Sequence, residues 1–175
     1  VHTMNNEVFE LFFAMLSLGT LVFGVIVLIA RLIKANTFLS EVKKIALPLA
    51  ALITTTAMFG SLYFSEIVNY KPCRLCWYQR SAMYPLAILL VIANFKKYKF
   101  MKIAAVSLAS IGGSVSVYHW FLERFPDLEA GVCDAKLPCE FIWFENFGFV
   151  TLSFMAFTAF FTTIVLVTLS PQEKK

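Results

Sequence analysis

Charge is scarce in this chain: Asp, Glu, Lys and Arg make up 15% of its 175 residues, against about 25% in an ordinary soluble domain. Too little polar chain remains to build a soluble enzyme with a large aqueous domain. Cysteine is sparse as well, and four in so long and apolar a chain exclude a small secreted domain stapled by disulfides. No internal repeat, low-complexity stretch or glycine-rich phosphate loop is present. The N-terminus lacks a basic leader and no small-x-small site follows the first apolar window, so a cleavable signal peptide is not expected. Intrinsic disorder is excluded by the nineteen phenylalanines.

What the chain does have is hydrophobic length. Apolar residues make up 59% of it, and mean hydropathy is +0.76. A membrane span needs about 20 apolar residues. Five uncharged or nearly uncharged windows meet that length: Leu11–Ala30, Ile45–Ser65, Leu75–Phe95 with Arg80 near its start, Ile103–Leu122 and Asn146–Ser170. The expected fold is all-α, a polytopic membrane helix bundle. Ala105, Ala109 and Gly113 form a small-residue face at four-residue spacing, suited to close helix packing. Pro48 and Thr54–Thr56 are expected to be local kink and packing features of the second span.

Charge orients the bundle. The first loop, third loop and C-terminal tail carry ten basic residues: Arg31, Lys34, Lys43, Lys44, Lys96, Lys97, Lys99, Lys102, Lys174 and Lys175. Their only acids are Glu41 and Glu173. The N-terminal tail with the second and fourth loops carries five basic residues (Lys71, Arg74, Arg80, Arg124 and Lys136) and nine of the eleven acids. That asymmetry places the N-terminus outside and the C-terminus inside. It also accounts for the net charge of +4 without any nucleic acid.

All four cysteines fall on the outer side, where disulfides persist. Cys73 and Cys76 form a Cys-x-x-Cys at the start of the third span, and Cys133 and Cys139 lie in the fourth loop. Pro72 suits a chain entering a helix, so the Cys-x-x-Cys is expected in its first turn, where free N–H groups and the helix dipole favour a thiolate. Arg80 lies one turn beyond Cys76, and a cation there also lowers a thiol pKa. An arginine inside a span reads as functional; the alternative is snorkelling to the headgroups. Four thiolates could complete a zinc shell, although the pairs lie in different loops and an oxidising compartment opposes it, so no metal is expected. Haem attachment needs histidine after the second cysteine, and residue 77 is tryptophan. A static Cys73–Cys76 crosslink would restrain little of the unfolded chain; Cys133–Cys139 could simply close a loop.

The run Cys73-Arg-Leu-Cys-Trp-Tyr-Gln-Arg80, followed by Ser-Ala-Met-Tyr-Pro85, resembles the DsbB family of disulfide bond formation proteins, and within it the BdbC-like branch. The resemblance continues through Tyr118-His119-Trp120 and through residues 131–157, covering roughly 45–170. It implies an integral membrane thiol:quinone oxidoreductase that reoxidises a DsbA-like thioredoxin-fold partner and passes electrons to ubiquinone or menaquinone. It implies disulfides Cys73–Cys76 and Cys133–Cys139, with Cys133 forming the mixed disulfide with the partner. Cys76 matches the cysteine that engages the quinone, Arg80 the arginine beside it, and His119 falls near a histidine of the quinone site.

The family core has four spans, so Leu11–Ala30 is an addition. The expected organisation is a tail, extra helix and basic loop over 1–44, a redox domain over 45–170 and a cytoplasmic tail over 171–175. The expected location is the bacterial cytoplasmic membrane. Two other readings fit the composition: a vitamin K epoxide reductase-like enzyme, and a non-catalytic membrane assembly subunit with static disulfides.

Overall fold

In a computed structural model of the chain, the structure describes residues 2–96, 99–129, 131–133 and 138–171. Of the charges counted for orientation, Lys97, Asp134, Lys136, Glu173, Lys174 and Lys175 lie outside the described residues. Five helices are long and apolar enough to cross a bilayer. They are α1 (His2–Leu32), α2 (Asn36–Leu62), α3 (Arg74–Phe95), α4 (Lys99–Leu122) and α5 (Leu152–Leu169). A π-helical turn, Tyr63–Ile67, extends α2, and a short 3-10 turn, Pro126–Leu128, follows α4. Among the described residues there is no strand, only an isolated bridge between Asn146 and Val150. The fold is therefore all-α, a polytopic bundle.

Element ends depart from the hydrophobic windows for physical reasons. The first helix starts nine residues before Leu11, and α2 starts at Asn36, because a helix can continue into the interface with charges such as Lys43 and Lys44 on its surface. The fifth span is shorter than expected. Residues 146–151 form a tight turn instead of helix: Phe147 and Gly148 adopt positive φ, and Thr151 caps α5 by accepting from the Phe154 N–H. Left-handed backbone cannot continue a helix, which is why Gly148 is suited to its place.

Lipid supplies no hydrophobic drive between helices, so the bundle closes through small residues and buried hydroxyls. Helix α5 packs against α1, α2 and α4. At Gly112 a Cβ would stand 2.3 Å from the Phe160 ring, so α4 and α5 approach this closely only because residue 112 is glycine. Gly113, on the face expected from sequence, leaves ordinary space, while Ala105 and Ala109 are fully buried. Thr54 is also fully buried and donates to the Ala50 carbonyl at 2.9 Å. Between α1 and α5, Thr162 donates to the Thr20 carbonyl at 3.0 Å, and Gly24 leaves the room that the Thr162 side chain occupies.

Contacts divide the bundle into two ends. At one, Arg31 reaches Thr168 of α5 and Lys102 reaches the Ser170 carbonyl. At the other, Tyr70 bonds Glu10, His119 meets Cys73, and Glu123 receives the Thr151 hydroxyl. Cys73, Cys76, Cys133 and Cys139 all belong to this second end.

Candidate functional site

Cys73 is the N-cap of α3, with extended backbone and its sulfur accepting the Cys76 N–H at 3.3 Å. Pro72 before it and the helix after it put the Cys76 side chain one turn on, with the two Sγ atoms 2.9 Å apart. The two sulfurs are not bonded to each other in this structure, and they stand close enough to be the pair that the resemblance implied. Cys133 and Cys139 are joined as a disulfide.

The two pairs share one small apolar cluster. Cys73, Leu75, Leu122 and Cys139 are buried in it, with Cys76, Tyr118, Val132 and Cys133 packed around them. Arg74 holds the loop near the start of α3 by donating to the Val132 carbonyl at 3.3 Å, and Glu129 accepts the Cys133 N–H at 3.0 Å. Cys139 is buried while Cys133 is half-exposed, so an external thiol has easier access to Cys133.

His119, buried near the end of α4, stands between the pairs. Its Nε2 is 3.6 Å from Cys73 Sγ and 3.1 Å from the Cys139 carbonyl oxygen. The Gln79 amide nitrogen faces Nδ1 at 3.1 Å. If that amide donates, Nδ1 accepts and Nε2 carries the proton, aimed at Cys73 and Cys139. The Cys73 thiol is held well below its ordinary pKa, first by the hydrogen bond from Cys76 and then by His119, against the effect of burial. Glu123 lies 3.9 Å from His119 Nε2 and accepts the hydroxyls of Thr151 at 2.6 Å and Ser153 at 2.8 Å. Burial raises its pKa.

On the membrane side of Cys76 lies a cavity of about 660 Å³ between α1, α2, α3 and α5. Cys76 and Arg80 line it. Arg80 is held by Ser61, with Nε on the hydroxyl and Nη2 on the carbonyl, both at 2.9 Å. The guanidinium also lies 5.4 Å from the centroid of the Trp77 ring, and among the described residues no carboxylate forms an ion pair with it. The Tyr84 hydroxyl, also in the lining, has no hydrogen-bond partner among the described residues. Tyr70 and Trp143, stacked 4.8 Å apart, close the cavity at the cysteine end.

Of the residues expected from sequence, the structure brings Cys73, Cys76, Cys133, Cys139 and His119 together, and Arg80 shares the cavity wall with Cys76. His119 does not line that cavity; its ring is turned to Cys73 and the loop. Gln79, Ser61, Tyr84 and Glu123 were not foreseen. Gln79 and Tyr84 lie on α3 just before Arg80 and one turn after it, and Glu123 lies one turn after His119, so their spacing was the available signal; Ser61 joins only through tertiary packing. Cys73, Cys76 and His119 have ligand atoms within 4.8 Å of one another and could hold a soft cation. However, two sulfurs on one tetrahedral zinc stand about 3.8 Å apart given bonds of about 2.3 Å, and the Sγ atoms here are closer. A four-thiolate site is not formed, because Cys133 and Cys139 are bonded to each other.

A family model described as "Disulfide bond formation protein DsbB" matches residues 43–170. The chain is 42% identical over 124 residues to the "Probable disulfide formation protein C" of Halalkalibacterium halodurans, covering 70% of this chain and 90% of that protein. It is 40% identical over 124 residues to the "Disulfide bond formation protein C" of Bacillus subtilis, covering 70% and 89%. No solved structure matches the chain.

Proposed function

The chain belongs to the DsbB family of disulfide bond formation proteins, and from that premise we propose that it is a thiol:quinone oxidoreductase of the bacterial cytoplasmic membrane. It reoxidises a DsbA-like thioredoxin-fold thiol oxidase and delivers the electrons to ubiquinone or menaquinone. Residues 45–170 form the redox domain, residues 1–44 precede it and 171–175 are a cytoplasmic tail. The basic inner loops set the N-terminus outside and the C-terminus inside.

The observation that carries this reading is continuity. The loop disulfide packs against Cys73, Cys73 touches Cys76, and Cys76 opens onto the cavity that holds Arg80. A thiolate of the reduced partner attacks Cys133 and Cys139 leaves as thiolate. The partner's second thiol then displaces Cys133, so the partner leaves as a disulfide and the loop pair gains two electrons and two protons. The loop dithiol next reduces the Cys73–Cys76 disulfide by the same exchange, with the sulfurs held in one cluster so that no large search is needed. His119 supports the Cys73 thiolate by hydrogen bonding, which makes Cys73 a good leaving group in the exchange. Cys76 then faces the cavity, with the Arg80 guanidinium and the Tyr84 hydroxyl offering donors that suit carbonyl oxygens. A quinone bound there supplies the chemistry the side chains lack, accepting two electrons and two protons from the dithiol.

The test is quinone reduction by purified protein given a reduced thioredoxin-fold donor. Wild type turns over and Cys76→Ser does not. A folded wild type inactive with both quinone classes would instead favour a non-catalytic assembly subunit.

A further inference from the structure

Helix α1 lies outside the part of the chain that matches the family model, yet it forms a full wall of the cavity. Its lining residues run from Phe13 to Phe23, about 15 Å of helix. On α2 the lining reaches from Ser61, beside Arg80, to Leu49, about 18 Å deeper. A quinone ring at Cys76 and Arg80 would occupy only the outer end of such a length.

The deeper part suits hydrocarbon. Of its hydroxyls, those of Ser17, Thr20 and Thr158 donate to the carbonyls of Ala14, Leu16 and Met155 in their own helices, and Thr56 adds one more hydroxyl to a wall otherwise built from side chains such as Leu49, Leu52 and Ile53. Met15, Leu16 and Gly19 of α1 and Leu52 of α2 line the cavity and are exposed at the bundle surface. The cavity therefore opens sideways between α1 and α2, towards lipid. Its volume lies within the range of about 300–1,000 Å³ found for small-molecule sites.

The wall is fixed along its length. Tyr70 bonds Glu10 at the outer end, Thr162 bonds the Thr20 carbonyl at the middle, and Arg31 bonds Thr168 at the inner end at 3.1 Å. A helix present only as an anchor needs no such pins. Resting on the quinone reading above, we propose that α1 completes a tail channel. Leu16, Gly19 and Thr20 of α1, facing Leu49 and Ile53 of α2, hold the polyprenyl tail of a quinone that enters laterally from the bilayer. The added helix thus makes the protein select tailed quinones over bare rings.

Gly19 is the point to probe, because a Cβ there meets nothing within 4 Å. Gly19→Phe adds bulk at a lining position where a Cβ meets only open space, and replacing glycine inside a helix favours folding. Binding is read without turnover, on oxidised protein in nanodiscs, by quenching of the cavity tryptophan Trp143. The probes are a polyprenyl menaquinone and menadione, its tail-less ring. In Gly19→Phe the ratio of the two dissociation constants shifts against the tailed quinone by about tenfold, as expected for losing about two buried methylene contacts. Val22→Phe, on the exposed face of α1 outside the lining, keeps the wild-type ratio. An unchanged ratio in Gly19→Phe overturns the proposal, as does equal weakening of both quinones. A copurifying phospholipid that quinone does not displace would also overturn it, since an acyl chain would then own the channel. If wild type binds tailed quinone selectively but reduces none, the oxidoreductase reading fails and the channel stands.

Discussion

Replacing His119 with Phe tests the electrostatic design of the dithiol. The change keeps an aromatic ring in the buried position but removes the Nε2 that stands 3.6 Å from Cys73 Sγ. A hydrogen bond to an ionised group is worth about 1.5–3 kcal/mol, and the long separation argues for the lower end. At about 1.4 kcal/mol per tenfold, the thiolate population of Cys73 below its titration falls about tenfold. The direction follows from the native shift. Cys73 is held below an ordinary thiol, with Cys76 as the larger cause and His119 as a smaller one, so loss of His119 moves the titration upward by about one pH unit without abolishing the shift. The assay is the pH profile of alkylation of reduced protein in a Cys133→Ser/Cys139→Ser background, with the Cys73 peptide followed by mass spectrometry. A midpoint that stays where it is in His119→Phe refutes the argument. So does a midpoint that rises fully to that of a free thiol, since Cys76 would then contribute nothing.

Two further outcomes follow from the packing and the buried carboxylate. Gly112→Ala drives a Cβ into Phe160 and lowers stability by about 1–3 kcal/mol, the usual cost of overpacking; Phe160→Leu in the same chain recovers part of that loss, and denaturation of the single and double variants would show it. Burial raises the Glu123 pKa, so in the window above the ordinary carboxylate value the folded state binds more protons than the unfolded one. Stability then falls as pH rises through that window, and Glu123→Gln flattens the slope in thermal melts at stepped pH.

The spans were legible because composition leaves an apolar helix nowhere else to go. Their ends were not, since α2 continues to Asn36 on residues that hydropathy alone would exclude. Residues 146–151 read as span because Phe147, Phe149 and Val150 are apolar; the left-handed backbone at Phe147 and Gly148 decides otherwise. At the site, Cys73, Cys76 and Arg80 could be picked out because their spacing on one helix is local. Gln79 and Ser61 act through partners far along the chain, His119 and Arg80, and the hydroxyl that Thr151 gives Glu123 comes from the cap of another helix; no periodicity records such pairings. The aromatic closure by Tyr70 and Trp143 is hidden for the same reason.

In the proposed relay electrons leave only through Cys76, and the loop pair lies upstream of it. Counting thiols tests this most directly: fully reduced protein is mixed anaerobically with excess quinone, and the quinol formed per chain is measured. Wild type should yield two equivalents, Cys133→Ser/Cys139→Ser one, and Cys73→Ser/Cys76→Ser none. Quinol formed by the last variant at the wild-type rate, with only the loop pair present, would contradict the relay.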